Sequence, residues 1–397
     1  MDIREKLTLL GQAAQYDDCV APAGDVQRDG RGFFAPQTDA APDPRVLPCI
    51  SHLQAPDGQR KPALKILQTS ACQNRCRYCA FSAGRDTRRV HVTPDELARS
   101  FDLMYRAGLV ESMFLSSGII GARRTMDEMI ATAELLREKY RFRGYLHLKI
   151  LPGAEAAQVA RAVELADRVS VNLEGSTADR LAFLAPDKRM AELIGPLRTA
   201  ADLIRRREQP ATLGQGGVRL GLSTQFVVGP AGESDRELLN TVQTLYREVR
   251  LARSYYSAFR PVPGTPLEAA AATDPRREHR LYQADWLLRF YGFSADELPF
   301  DAAGLLRADV DPKTAWARVH PERFPVEVNR APVSELLRVP GIGPHSARAI
   351  AAARRQGALR EIGDLRKLGA RADQAAPYVL LSGKRPPYQP PLPLDLA

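Results

Sequence analysis

Short apolar runs alternate with longer amphipathic stretches between residues 61 and 300. ALKILQ precedes PDELARSFDLMYRAGL, SMFLSS precedes MDEMIATAELLREKY, and YLHLKILPG precedes AEAAQVARAVELA. RVSVNLEG then precedes PLRTAADLIRRRE, GLSTQFVVG precedes SDRELLNTVQTLYREV, and SYYSAFRPV closes the series. The apolar runs have strand length and their partners have helical period, so the repeating unit is β-α. Six such units predict an α/β fold with a parallel sheet curled into a partial (β/α)6 TIM-type barrel in preference to a flat doubly wound sheet, although periodicity alone does not separate the two.

The flanks differ in character. Residues 1–60 pair a short amphipathic opening with VAPAGDVQRDGRGFFAPQTDAAPDPR, which has no sustained period and reads as an extended wrap or a disordered arm. The barrel is expected over 61–300, ending with HRLYQADWLLRFYGF as a helix packed on it, and a Pro- and Asp-containing linker over 301–328. In 329–383, VNRAPVSELLRVPGIGPHSARAIAAARRQG reads as helix, tight Gly turn and helix, and EIGDLRKLGARADQAAPYVLLSGK supplies a second such hairpin, giving a small all-α module. The Pro-rich tail 384–397 is a solvated extended end or a peptide ligand.

Composition narrows the class. The 397 residues are 44% hydrophobic, enough for a sizeable core with appendages. The opening MDIREKLTLL lacks the apolar run of a signal peptide and no later stretch has the length of a membrane span, so the expectation is a cytoplasmic protein with no membrane contact. From Asn329 onward there are 11 Lys and Arg against 5 acids, so +6 of the net +9 sits in the last sixth of the chain, the mark of a polyanion-binding end.

The chemistry starts from SACQNRCRYCAF, where Cys72, Cys76 and Cys79 fall within eight residues of a chain with five cysteines. In a reducing compartment this clustering argues for metal or cluster ligation over disulfides. A tetrahedral zinc site needs a fourth ligand, and His91, Cys19 and Cys49 fall at no familiar finger spacing. A ferredoxin-type carrier uses four cysteines, and the fourth is missing. Three thiolates on a four-iron cluster leave one iron open to a ligand that is not protein.

The spacing Cys72-x3-Cys76-x2-Cys79, just after the first predicted barrel strand, resembles the signature of radical S-adenosylmethionine (SAM) enzymes. The resemblance implies a [4Fe-4S] cluster whose open iron is chelated by SAM, reductive cleavage of SAM to a 5′-deoxyadenosyl radical, and a flavodoxin or ferredoxin as electron donor. It places Tyr78 against the adenine. Ser116, Ser117 and Gly118 stand where the superfamily has a Gly-Gly-Glu motif for the methionyl amino group, with the glutamate absent. Lys149, Asn172 and Glu174 end the third and fourth strands. Glu174 is assigned to the ribose hydroxyls or the ammonium, and Asn172 to the ribose or the methionyl carboxylate. Val227, in QFVVGPAGE, takes the adenine-packing position, with Gln225 in place of the usual glycine. Each also reads as an ordinary core or strand-end residue.

Nearly the whole chain resembles a narrower group, the radical SAM proteins described as DNA modification or repair proteins and encoded beside a uracil-DNA-glycosylase-like protein. The matching stretches include EKLTLLGQAAQYD, LKILQTSACQNRCRYC, MFLSSGI, GYLHLKILPGA, LAPDK, QFVVG, YYSAFRPV and VNRAPVSELLRVPGIGPHSARAI. LLRVPGIGPHSARAI is similar to the helix-hairpin-helix motif of DNA repair proteins. Its two glycines allow positive φ and close backbone approach, and the first-turn N–H groups of the next helix meet a phosphate with the helix dipole behind them. Gly341, Ile342, Gly343, Ser346 and Arg348 are the candidate nucleic-acid contacts, and protein contact is the alternative use of the hairpin. The expectation is a radical SAM enzyme that modifies or repairs DNA presented single-stranded, damaged or flipped. Tyr255, Tyr256 and Arg260, on the sixth strand, are candidates for its substrate side, the tyrosines reading equally as core residues. The alternatives are an RNA-modifying enzyme and a cluster-containing DNA-binding scaffold or redox sensor. Cys19 and Cys49 are buried thiols or ligands of a second site.

Overall fold

The computed structural model describes residues 1–14, 49–54, 60–207 and 221–388. The chain forms two compact units. The first comprises Met1–Glu233 with Thr244–Glu278, and the second Ser234–Gln243 with His279–Ala397.

Helix α1 (Ile3–Ala14) precedes strand β1 (Ile50–Gln54) and the long strand β2 (Arg60–Leu67). Helix α2 (Pro94–Arg106) follows, then β3 (Ser112–Ser116), α3 (Ala122–Glu134), β4 (Tyr145–Lys149), α4 (Ala156–Leu165) and β5 (Arg168–Ser170). The unit continues through α5 (Ala178–Leu184), α6 (Met190–Arg207), β6 (Gly221–Val228), α7 (Asp235–Glu248), β7 (Arg253–Ala258) and α8 (Pro275–Phe290), with parts of α7 and α8 counted in the second unit. The strands pair in chain order from β1 to β7, and β2 to β7 are all parallel. Six parallel strands in sequential order, curled with helices on one face, are the expected partial barrel. Strand β1 was not foreseen. It pairs antiparallel with β2, placing Ile50 opposite Leu64, inside a region read as an arm.

Local chemistry explains the element boundaries. Thr93 caps α2 in a reciprocal box: its N–H donates to Glu96 Oε2 at 3.0 Å and its hydroxyl accepts from the Glu96 N–H at 3.3 Å, with Pro94 opening the helix. Alternation gives the sheet two faces. Leu64, Ile66, Met113, Leu115, Leu146 and Val169 are fully buried on one. Gln68 shares that parity and accepts from Thr132 of α3 at 2.8 Å, so this is the helix-covered face. Lys65, His147, Arg168 and Tyr255 alternate onto the inner face. Cys49 is buried beside Gly11 of α1, where an added Cβ would lie 2.1 Å from the Cys49 Cβ, so no larger residue fits. Burial raises the Cys49 thiol above its ordinary range. Cys19 lies outside the described residues.

The second unit contains α9 (Pro312–Val319), β8 (Val326–Glu327), α10 (Val333–Leu336), α11 (Pro344–Ala353), α12 (Ile362–Lys367), α13 (Ala372–Ala375) and β9 (Val379–Leu380). The stretch 301–328, expected as a linker, carries α9 instead, with Trp316 1% exposed and packed edge-on against Phe293 at 5.3 Å. An Asp311 cap and Pro312 at the first helical position start this helix. Val326, Leu336, Val339, Ile342, Ile350 and Leu365 form the core of the hairpin region. Two-residue strands β8 and β9 pair in parallel, a small departure from an all-α module.

Candidate cofactor site and hairpin interface

The cysteine loop leaves the C-terminal end of β2 and is tied down at several points. The Arg89 guanidinium donates to the Ser70 carbonyl at 2.9 Å before the cysteines and to the Phe81 and Ser82 carbonyls at 2.9 and 2.8 Å after them. The Arg75 N–H and guanidinium both reach Asp187, each at 2.6 Å, and the Arg77 N–H donates to the Leu184 carbonyl at 2.8 Å. The loop is thus fastened to the end of α5 and the turn beyond it. Burial pushes the Cys76 thiol up to about 12 against the pull of Lys188, and burial also raises Cys79, which feels Cys72 as a like charge. Among the described residues no three His, Cys, Asp or Glu side chains converge on a single ion. A cluster asks for something else, one thiolate at each of three separate irons.

Beside the loop lies a buried ion pair. Lys188 Nζ sits 2.9 Å from Glu174 Oε1, with side-chain exposures of 10% and 5%. Burial opposes the Lys188 charge, but Glu174 and then Cys76 hold it cationic, above its ordinary range. Glu174 adopts φ +61°, uncommon for a side-chain-bearing residue, and is fixed there by its N–H to the Gln225 carbonyl at 2.9 Å and its carbonyl to the Val227 N–H at 2.8 Å. Burial, followed by the Glu174 charge, keeps the Tyr78 hydroxyl protonated. Tyr78 packs against the buried cluster of Leu184, Val227, Phe259 and Leu267, so the two residues assigned to the adenine share one apolar cluster.

The other candidates stand on neighbouring strand ends. The Ser116 carbonyl accepts from the Gln68 N–H at 2.8 Å, and the Gly118 N–H donates to the Thr69 carbonyl at 2.7 Å. A Cβ on Gly118 would lie 2.3 Å from the Ala71 carbonyl oxygen, so only glycine lets the β3 end approach the cysteine loop. The Ser117 hydroxyl is buried without a hydrogen-bond partner, a polar atom that a bound group would satisfy. Asn172 donates to Gln225 Oε1 at 3.0 Å, and Lys149 is half-buried at the end of β4. Three thiols, an orphaned hydroxyl, a buried carboxylate–ammonium pair and an apolar slot fit an iron–sulfur cluster with a zwitterionic adenosyl ligand. Of the substrate-side candidates, Tyr255 faces inward and accepts from Arg168 at 3.1 Å, while Arg260 is exposed just beyond β7. Tyr256, 1% exposed, alternates to the helix-covered face and is a core residue. Sequence reasoning missed Arg89, Asp187 and Lys188. The last two stand in the quoted LAPDK, but nothing in its pattern disclosed which partners they meet across the fold.

In the second unit the hairpin turn corrects two expectations. Only Gly341 needs positive φ, at +79°, and a Cβ there would lie 2.4 Å from the Arg371 carbonyl oxygen. Gly343 is extended, with φ −101° and ψ 177°. Ser346 is 3% exposed. Its hydroxyl accepts from the Gly343 N–H at 2.8 Å and donates to the Gly343 carbonyl at 3.1 Å, so it caps α11 and does not present itself to a phosphate. Ile342 is buried, and its carbonyl accepts from Lys313 Nζ at 2.6 Å. Arg348 is exposed on α11. The second hairpin is present as α12 and α13 around Gly369, at φ +83°, and the Arg371 N–H donates to the Gly341 carbonyl at 2.8 Å, joining the two turns.

The Radical SAM superfamily profile matches residues 66–245 and the helix-hairpin-helix motif profile matches residues 323–370, so the chain carries both domains. Members of the radical SAM superfamily use a [4Fe-4S] cluster and SAM. No curated protein matches the chain. Similar solved structures include methylornithine synthase (PylB), 13% identical over 56% of this chain and 60% of that one, with a TM-score of 0.45. Another is the FeFe-hydrogenase maturase HydG from Carboxydothermus hydrogenoformans, 12% identical over 56% and 50%, with a TM-score of 0.43. The chain thus spans about half the length of the solved structures it matches. Among the described residues no helix is long and apolar enough to cross a membrane.

Proposed function

We propose that this chain is a radical SAM enzyme acting on nucleic acid, DNA in the first instance, with the hairpin unit as its phosphate-binding end. The observation that carries the reading is one chain joining a radical SAM domain to a helix-hairpin-helix motif in its most basic segment. Cys72, Cys76 and Cys79 hold the cluster. Tyr78 and Val227 pack the adenine, Asn172 meets the ribose, and the β3 end, with the free Ser117 hydroxyl and the Gly118 backbone, takes the methionyl head. Glu174 and Lys188 offer this head a carboxylate for its ammonium and an ammonium for its carboxylate. Once bound and reduced by one electron, the cofactor pair supplies a carbon radical able to take hydrogen from a sugar or base. The protein's own part is to fix the loop through Arg89 and Asp187, to keep water from the buried pair, and to admit a base that has left the duplex stack. Repair or modification as the outcome, a uracil-DNA-glycosylase-like partner and a flavodoxin or ferredoxin donor follow from the family resemblance.

The test is anaerobic incubation of reconstituted protein with SAM, reductant and DNA or RNA, followed by mass spectrometry of digested nucleosides. DNA-stimulated release of 5′-deoxyadenosine with a modified deoxynucleoside supports the reading. Stimulation by RNA alone moves the substrate to RNA, and no SAM turnover leaves the scaffold or sensor. Replacing any one of Cys72, Cys76 or Cys79 with Ala should abolish the brown cluster absorbance, whereas Cys49→Ala, in the folded protein, should retain it.

A further inference from the structure

The inner face of the barrel carries a second chemical signature below the strand ends. In hydrogen-bonded register, one row across the sheet reads Lys65, Phe114, His147, Arg168 and Gly221. The next row reads Lys149, Ser170, Ser223 and Arg253. The contacts place them on one face: His147 Nε2 lies 2.9 Å from Ser170 Oγ, and the His147 ring meets Phe114 edge-on at 4.5 Å. Gly221 has no side chain where the Arg168 guanidinium passes over β6 to reach Tyr255, and a Cβ there would lie 3.0 Å from Arg168 Nε.

The two rows contain basic and hydroxyl side chains and no acid. The carboxylate of this face, Glu174, is taken by Lys188. Lys65 is 6% exposed and its ammonium meets the Phe114 ring at 5.9 Å, while Arg168 meets the Tyr255 hydroxyl. Among the described residues neither has a carboxylate partner. Arg168 Nε and the Ser223 hydroxyl, in a residue of 0% exposure, are buried without a hydrogen bond. Burying cations without a counter-charge is costly, and hydroxyls set among cations are what an oxyanion accepts from.

We propose that the barrel interior binds a phosphate group of the substrate through Lys65, Arg168, Ser170 and Ser223. The inference rests on the nucleic-acid reading and deepens it by placing a phosphate inside the barrel as well as at the hairpins. The phosphate belongs to a nucleotide extruded from a strand or to a free nucleotide.

Titration calorimetry on the full chain tests it, with deoxyadenosine 5′-monophosphate, deoxyadenosine and a short single-stranded oligonucleotide as probes. The monophosphate should bind at least about tenfold more tightly than the nucleoside, the scale of one charge-assisted hydrogen bond. Arg168→Gln and Lys65→Met should each remove about tenfold of that affinity, and Ser223→Ala, the smallest change, about threefold. Equal affinity for monophosphate and nucleoside, parent-like affinity in folded Arg168→Gln and Ser223→Ala, or displacement of the monophosphate by SAM would overturn the proposal. Oligonucleotide binding sensitive to Arg168→Gln assigns the phosphate to a strand. Arg168-dependent monophosphate binding without oligonucleotide binding assigns it to a free nucleotide, keeping the interior site while removing the strand reading. Duplex binding weakened in Arg348→Gln with monophosphate affinity indifferent to Arg168→Gln does the reverse.

Discussion

Lys313 and Lys188 are both buried lysines, and their surroundings push them in opposite directions. Lys188 has Glu174 at 2.9 Å and stays charged. Removing its ammonium strands a buried carboxylate, so Lys188→Met should cost the first unit roughly 3–5 kcal/mol. Glu174→Leu added to Lys188→Met should restore much of that loss, since an apolar pair needs no counter-charge. Urea unfolding followed by circular dichroism reads both, and an unchanged midpoint in Lys188→Met would remove the pair from the stability of the unit. Lys313 instead donates to a neutral carbonyl and lies 4.6 Å from the Tyr291 ring centre. Burial drives it down to about 7, Asp311 opposing and Arg338 assisting. The ordinary value is 10.5, so between about 7 and 10.5 the unfolded chain binds a proton that the folded chain does not. Stability of the second unit should therefore rise with pH across that window, by at most roughly 5 kcal/mol, and sit at its lower level below pH 7. Trp286 and Trp316 both belong to this unit, so tryptophan fluorescence reports its unfolding selectively. A slope that survives in Lys313→Met would assign the dependence to another group.

At the scale of elements, the hairpin turn separates two glycines that look alike in the sequence PGIGP. Gly341→Ala forces a Cβ against the Arg371 carbonyl at positive φ and should lower the second unit's stability by about 1–3 kcal/mol. Gly343→Ala meets only the Tyr291 hydroxyl at 3.2 Å, which can yield, and should cost under about 1 kcal/mol. Equal losses would show that the turn does not depend on its left-handed residue. The same contrast marks how far sequence carries. The six parallel strands were legible because each apolar run has strand length and each partner helical period, and that signal is local. Strand β1 was not, since Ile50–Gln54 is too short to show a period and is defined by pairing with β2. Helix α9 was hidden by its proline, which opens the helix instead of breaking it. Cysteine spacing marked out the candidate cofactor loop, but the residues that staple it, Arg89 and Asp187, are ordinary charged residues until folding brings Arg89 to the Ser70, Phe81 and Ser82 carbonyls and Asp187 to Arg75, 112 positions away. Ser346 misled for a related reason: a hydroxyl one turn beyond a glycine suits a phosphate and a helix cap equally, and the cap is the partner already present.

For the whole molecule the issue is how much of its charge is free to meet a polyanion. The 11 bases from Asn329 onward are not all available. Arg338 pairs with Glu297 at 2.7 Å and lies 3.9 Å from the Phe293 ring centre, Arg354 donates to the Val328 and Ala331 carbonyls, and Arg366 pairs with Asp373 at 2.9 Å. Arg338 and Arg354 brace the fold, and the third must release a carboxylate before it can take a phosphate. That leaves at most eight basic side chains for direct phosphate contact. On duplex DNA log K falls by about 0.9 per phosphate neutralised for each tenfold rise in salt, so the hairpin unit can supply a slope no steeper than about −7, and on single strands, at about 0.7 each, no steeper than about −6. Arg348→Gln, at an exposed position on α11, should reduce the slope by close to one contact and weaken every sequence alike, because a phosphate contact positions DNA without reading it. Arg354→Gln should behave differently, lowering the unit's melting temperature before it touches the salt slope, since its guanidinium holds backbone carbonyls. Fluorescence anisotropy of labelled duplex at a series of salt concentrations measures each slope. A parent slope steeper than the bound would place further phosphates outside the hairpin unit, with the cationic inner face of the barrel as the place to look. No salt dependence at all would return the hairpins to protein contact.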